Sequence, residues 1–162
     1  MRRIIGVDPG LASTGWGVIE TDARRAQNVR YIAHGCIETA PDKPLTERLL
    51  FIHDALAEVL ATWKPVEAAV ETLYFGRNIT SALPVAEARG VLCMTLAEAG
   101  LPVRELTPNA IKQAVVGAAR ADKEQVQEMA RLILGLDAIP KPNHAADALG
   151  AAICCAYSFT RP

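Results

Sequence analysis

The chain has 162 residues, 51% of them hydrophobic and 22% charged, with a formal net charge of −1. That balance suits a globular protein with a buried core and excludes the disordered class. It also excludes a simple basic nucleic-acid binder, so if DNA is the partner the cations must be gathered on one face.

Taken in chain order, Arg3 to Val7 is a short β-branched run ending at Asp8-Pro9-Gly10, which predicts a strand and a turn. Thr14 to Thr21 and Val29 to Glu38 are likewise rich in β-formers, and the short polar links predict an antiparallel meander. Leu45 to Trp63 carries Leu49, Leu50, Ile52, Leu56, Val59 and Leu60 at helical spacing, closed by Pro65. Ala68 to Val70 reads as a short buried strand before Glu71. A second helix is predicted from Asn78 to Ala99, with Gly100 as its stop, and a fifth strand over Val103 to Leu106. Thr107 and Pro108 open a short helix as cap and first residue. Asp122 caps another helix running to Leu134, and Asn143 caps a last one from His144 to about Phe159. Meander strands followed by β-α-β crossovers require an α/β fold with a mixed sheet and helices on its faces. No linker interrupts the pattern, so residues 1–162 are expected to form one domain.

The four cysteines, Cys36, Cys93, Cys154 and Cys155, lack CxxC spacing and are expected as buried reduced thiols. The run between Arg3 and Asp8 is too short for a secretion signal, and no apolar run nears the ~18 residues that span a membrane. The expectation is a soluble, cytoplasmic protein.

Three acids stand out by position. Asp8 and Glu71 each follow a strand, at the carboxyl edge where α/β sites form, and Asp147 lies early in the alanine-rich final helix, three residues after His144. Taken singly, the acids read equally well as turn or helix-dipole residues, and His144 as a polar helix start. Taken together, carboxylates that converge must be held by cations. Hard oxygen donors select Mg²⁺ or Mn²⁺, and two such ions about 4 Å apart suit phosphodiester hydrolysis. His144 beside Asp147 is a candidate ligand or general base.

These residues resemble the RuvC family of Holliday-junction resolvases, of ribonuclease-H-like fold. The resemblance rests on Ile5-Gly6-Val7-Asp8-Pro9-Gly10 with Thr14-Gly15, Val70-Glu71 with Tyr74-Phe75, and Ala88-Arg89-Gly90-Val91. Val115-Val116-Gly117 with Lys123 and His144-Ala145-Ala146-Asp147-Ala148-Leu149 complete the series, in family order across nearly the whole chain. The resemblance implies a mixed five-stranded sheet flanked by helices. It implies a homodimer that nicks opposite strands of a four-way junction in recombination and repair, with a RuvA–RuvB-type branch-migration complex as partner. It places the catalytic and metal-binding positions at Asp8, Glu71, His144 and Asp147. Some members carry an aspartate where this chain has His144, which softens the second ion's ligand set and leaves Mg²⁺ and Mn²⁺ both open.

Tyr74 and Phe75, in the polar stretch after Glu71, are suited to stack on unpaired bases, and the resemblance makes one of them the wedge at the crossover. Arg77, Lys112, Arg120 and Lys123 are candidate phosphate contacts; Lys112 and Lys123 match basic positions of the family's DNA-binding segment. The helix after Asn78 shows Ala82, Val85, Ala86, Arg89, Gly90, Cys93 and Ala97 as a stripe that fits packing on the sheet or a dimer seam. The resemblance implies the seam, and an isologous dimer matches the two-fold symmetry of a junction. Two other readings compete: a DNA-structure binder without chemistry, and an actin-like phosphotransferase sharing the Asp8-Gly10-Thr14-Gly15 turn, for whose second lobe 162 residues leave no room.

Overall fold

In the computed structural model, which describes residues 1–22, 28–73 and 79–158, strands and helices follow the expected order. They are β1 (Arg2–Asp8), β2 (Ser13–Thr21), β3 (Val29–Glu38), α1 (Leu45–Trp63), β4 (Glu67–Glu71), α2 (Ile79–Glu98), β5 (Val103–Leu106), α3 (Pro108–Val115), α4 (Lys123–Leu134) and α5 (Asn143–Ser158). The sheet order is β3-β2-β1-β4-β5. The meander pairs antiparallel and the crossover strands β1, β4 and β5 pair parallel.

Alternation along the strands builds two cores. Ile5, Val7 and Val18 point to the face covered by α1 and α2, meeting Ile52, Leu56, Leu92 and Leu96. Ile4, Ile19 and Ala69 point to the opposite face, under α3, α4 and α5, meeting Ile111, Val126, Leu149 and Ile153. Each fully buried Ile or Leu contributes about 1.5–3 kcal/mol relative to exposure.

The packing of α5 is unusually close, and glycines on the strands allow it. A Cβ on Gly6 would lie 1.9 Å from the Ala148 carbonyl oxygen, and one on Gly15 only 2.0 Å from that of His144. The alanines of α5 are therefore half of the fit. Bare backbone on β1 and β2 is the other half, and it fixes the height of the helix over the sheet.

Several expectations are corrected. Asn143 lies inside α5, because the Ala145 amide already bonds the Pro142 carbonyl and the Asn143 side chain is held by Lys141 at 3.0 Å. Asp8 and Glu71 end their strands, not the turns beyond them. Cys154 and Cys155 are buried, but Cys36 and Cys93 are only half-buried; all four are unbridged. Of the two readings of the α2 stripe, packing on the sheet is not what is found: Ala88, Leu92, Thr95 and Leu96 are buried, while Gly90 and Ala97 are exposed. Apolar residues surround this helix, so periodicity alone could not choose the face. The same composition makes α2 long and apolar enough to cross a membrane, contrary to the expectation. In the fold it packs on α1 and β5.

Candidate active site

The register of two parallel strands brings the first two carboxylates together. Gly6 pairs with Ala69, so Asp8 and Glu71, each two residues on, leave the same face of the sheet at neighbouring strand ends. That face is the one α5 covers, and the glycine contacts seat the first turns of α5 directly above. His144 Nδ1 consequently reaches Asp8 Oδ2 at 2.7 Å. Asp8, Glu71, His144 and Asp147 line one pocket of about 400 Å³ together with Pro108, Ile111, Lys112, Lys123 and Val126.

Asp147 is gripped from α4. Lys123 Nζ lies 2.6 Å from its Oδ2, and Gln127 Nε2 donates to its Oδ1 at 3.0 Å. The two donors are four residues apart on a helix whose capping box, Asp122 with Gln125, fixes its start. Glu71 is steadied through its backbone: Arg89 Nε on α2 donates to the Glu71 carbonyl at 3.3 Å, while Arg89 Nη2 lies 3.2 Å from Glu105 Oε2.

Crowding of acids sets the electrostatics. Burial, then the charges of Asp8 and Asp147, pushes the Glu71 carboxyl up to about 7, against the pull of Lys123 and Lys112. Burial also raises Asp8, opposed by its hydrogen bond to His144 and reinforced by Asp147. Burial alone would lower Lys123, but its bond to Asp147 and the charges of Asp147, Asp8 and Glu71 hold the ammonium above its ordinary range.

As the side chains stand, no group of three or more His, Cys, Asp and Glu among the described residues is drawn together enough to hold an ion. His144 engages Asp8 and Lys123 engages Asp147, so two of the carboxylates already have side-chain partners. The donor set nevertheless fits a hard divalent cation. Three carboxylates border one pocket, and burial, reinforced by the neighbouring acids, drives two of them towards protonation, a strain that a bound cation would relieve.

Of the residues singled out in the sequence, Asp8, Glu71, His144 and Asp147 converge, with Lys112 and Lys123 on the same pocket. Arg120 is exposed and does not line it. Tyr74, Phe75 and Arg77 lie outside the described residues. Sequence reading missed the grips of Gln127 and Arg89 on these acids. Gln127 leaves a faint trace, as a polar residue among Val126, Ala130 and Leu134 on the inner face of α4.

Comparisons with known proteins cover nearly the whole chain. The family model described as "Crossover junction endodeoxyribonuclease RuvC" matches residues 4–155. A protein of that name from Treponema denticola is 52% identical over 150 residues, 93% of this chain and 83% of its own. Its namesake from Heliobacterium modesticaldum is 47% identical over 157 residues, 97% and 95% of the two chains. The structure of T. thermophilus RuvC in complex with Holliday junction substrate superposes with a TM-score of 0.90 at 36% identity, covering 98% of this chain and 95% of that one.

Proposed function

Since the chain belongs to the RuvC family of crossover junction endodeoxyribonucleases, we propose that it cuts four-way DNA junctions by metal-dependent phosphodiester hydrolysis. The observation that carries the reading is the meeting of Asp8, Glu71 and Asp147, from two strand ends and one helix, in a pocket bordered by Lys112 and Lys123. Membership also displaces the actin-like phosphotransferase reading.

Asp8, Glu71 and Asp147 are the residues that would hold Mg²⁺ or Mn²⁺, two ions per site, with His144 as a further ligand or a general base. Bound ions of this kind activate an attacking water and neutralise the leaving oxygen. The chain's own residues do the rest. His144, with Nδ1 turned to an ionised Asp8, keeps Nε2 for a second partner, whether an ion or a proton. Lys112 and Lys123 place positive charge where a phosphate would enter; Arg77 and Arg120 are further candidate phosphate contacts from the sequence. Tyr74 or Phe75 stacks at the junction centre.

The remaining parts of the proposal are a single nuclease domain, a homodimer giving symmetric nicks, a cytoplasmic site of action and a RuvA–RuvB-type partner. The dimer has its own support: packing within the chain uses Ala88, Leu92 and Leu96 of α2, leaving Ile79, Leu83 and Met94 exposed on the same helix.

The test is cleavage of a synthetic mobile four-way junction beside a matched linear duplex, in Mg²⁺, Mn²⁺ or EDTA. Paired nicks in the junction alone, lost in EDTA, are expected. Asp8→Asn should bind the junction and cut it at least about a hundredfold more slowly, a loss of ~3 kcal/mol in transition-state stabilisation. Tight junction binding with no cutting by the unmodified chain would instead support the non-catalytic binder.

A further inference from the structure

Gln127 is a buried polar residue, 5% exposed, on the inner face of α4. It does not line the pocket, although its neighbours Lys123 and Val126 do. Its Nε2 donates to Asp147 Oδ1 at 3.0 Å, while the other oxygen of the same carboxylate, Oδ2, meets Lys123 Nζ at 2.6 Å. An ionised carboxylate only accepts hydrogen bonds, so the amide must present its NH₂ group to Asp147, and this fixes which way the Gln127 side chain is turned.

The two donors differ in what they can do next. The Lys123 side chain is 59% exposed, long and charged, so it can leave Asp147 for a phosphate or yield to an incoming cation. Gln127 is enclosed by the α4–α5 packing and carries no charge that a cation would repel. We propose that Gln127 is a positioning residue for the nuclease: it pins Oδ1 of Asp147 from behind, so that Oδ2 stays presented to the pocket when Lys123 lets go. A carboxylate free to rotate about its last bond would offer either oxygen, or both, and would lose that orientation on binding an ion. Partners that orient a ligand in this way typically change metal affinity about 10–100-fold when removed.

This inference rests on the metal-dependent reading of the site, and the test separates the two. Gln127→Met keeps length and volume and removes the donor; Gln127→Asn keeps the amide and withdraws it by one methylene. Mn²⁺ binding is followed by calorimetry on the DNA-free protein, with junction affinity measured in EDTA and cutting rate measured across Mn²⁺ concentration. Both variants should bind Mn²⁺ about tenfold or more weakly than the unmodified chain, at unchanged junction affinity. Their cutting should recover as Mn²⁺ is raised, which a merely loosened fold would not do. Adding Gln127→Met to an Asp147→Asn chain should cost nothing further in Mn²⁺ binding. Mn²⁺ affinity in a folded Gln127→Met chain equal to that of the unmodified one overturns the role. If Gln127→Met does not fold, unaltered Mn²⁺ affinity in Gln127→Asn does so equally. An unmodified chain that binds no Mn²⁺ at all would instead remove the metal reading on which the role depends.

Discussion

Glu71, one of the acids proposed to hold the metal, is also an acid that costs the fold stability. In the unfolded chain its carboxyl titrates near 4.5, and in the folded, metal-free protein it is pushed up to about 7, first by burial and then by Asp8 and Asp147. Between those values the folded state binds more protons than the unfolded one, so this residue makes stability fall as pH rises, with the full penalty present above about 7. Glu71→Gln should therefore stabilise the metal-free protein at pH 8, on the order of 1 kcal/mol after allowing for solvent screening, and not at pH 4.5. Thermal denaturation at the two values checks it; an equal effect at both would mean that the acid is not strained. The same protonation opposes a cation, so Mn²⁺ should raise the melting temperature more at pH 8 than at pH 6. Asp8 is shifted in the same direction and adds to the effect.

At the scale of elements, the seam between α5 and the strands is the part most exposed to single changes. Gly15→Ala sets a methyl against the His144 carbonyl, and Gly6→Ala sets one against that of Ala148; backbone, not a flexible side chain, stands in the way. Either change should cost roughly 1–3 kcal/mol by overpacking, and Gly15→Ala should also slow cutting, since it displaces the turn that carries His144. Denaturant titration and the junction assay together check this; a Gly15→Ala chain of undiminished stability would mean that α5 is not fixed there. The seam also shows what the sequence could and could not reveal. The run from Ile4 to Val7 before Asp8, the stops at Pro65 and Gly100, and the caps at Thr107 and Asp122 are local signals, and the elements they mark are found. Asp8 and Glu71 were legible because each lies at a predicted strand end, and Asp147 because it stands in the first turns of an alanine-rich helix, three residues after His144. The face of α2 was not, because its apolar residues go all the way round. Nor was the grip of Gln127 on Asp147, which depends on how two helices cross.

For the whole molecule, a net charge of −1 makes the few cations placed at the pocket decisive for a DNA partner. Arg2 and Arg104 sit on Glu67, Arg3 and Arg30 on Glu20, and Arg131 on Glu128, so five arginines are committed to three acids. Lys112 and Lys123 are kept at the pocket. Junction affinity should accordingly fall steeply with salt, and Lys112→Ala should reduce the slope of log K against log salt by about one. An unchanged slope would remove Lys112 from the phosphate track. The proposed homodimer should be equally sensitive at α2: Leu83→Glu, at a position 55% exposed in the single chain, should shift it towards monomer in sedimentation without altering the melting of the monomer.

The bond from His144 to Asp8 spans 136 residues of chain. A nuclease is hazardous to the cell that makes it, and here the hazard is postponed by synthesis itself. A nascent chain on the ribosome already carries Asp8 and Glu71 when most of the protein has yet to be made. It has no third carboxylate and no imidazole to go with them until α5, the last helix described, has emerged and docked. On the proposed reading of the site, any product cut short by a stalled ribosome or a premature stop before His144 would carry the strands and lack the helix that completes the site.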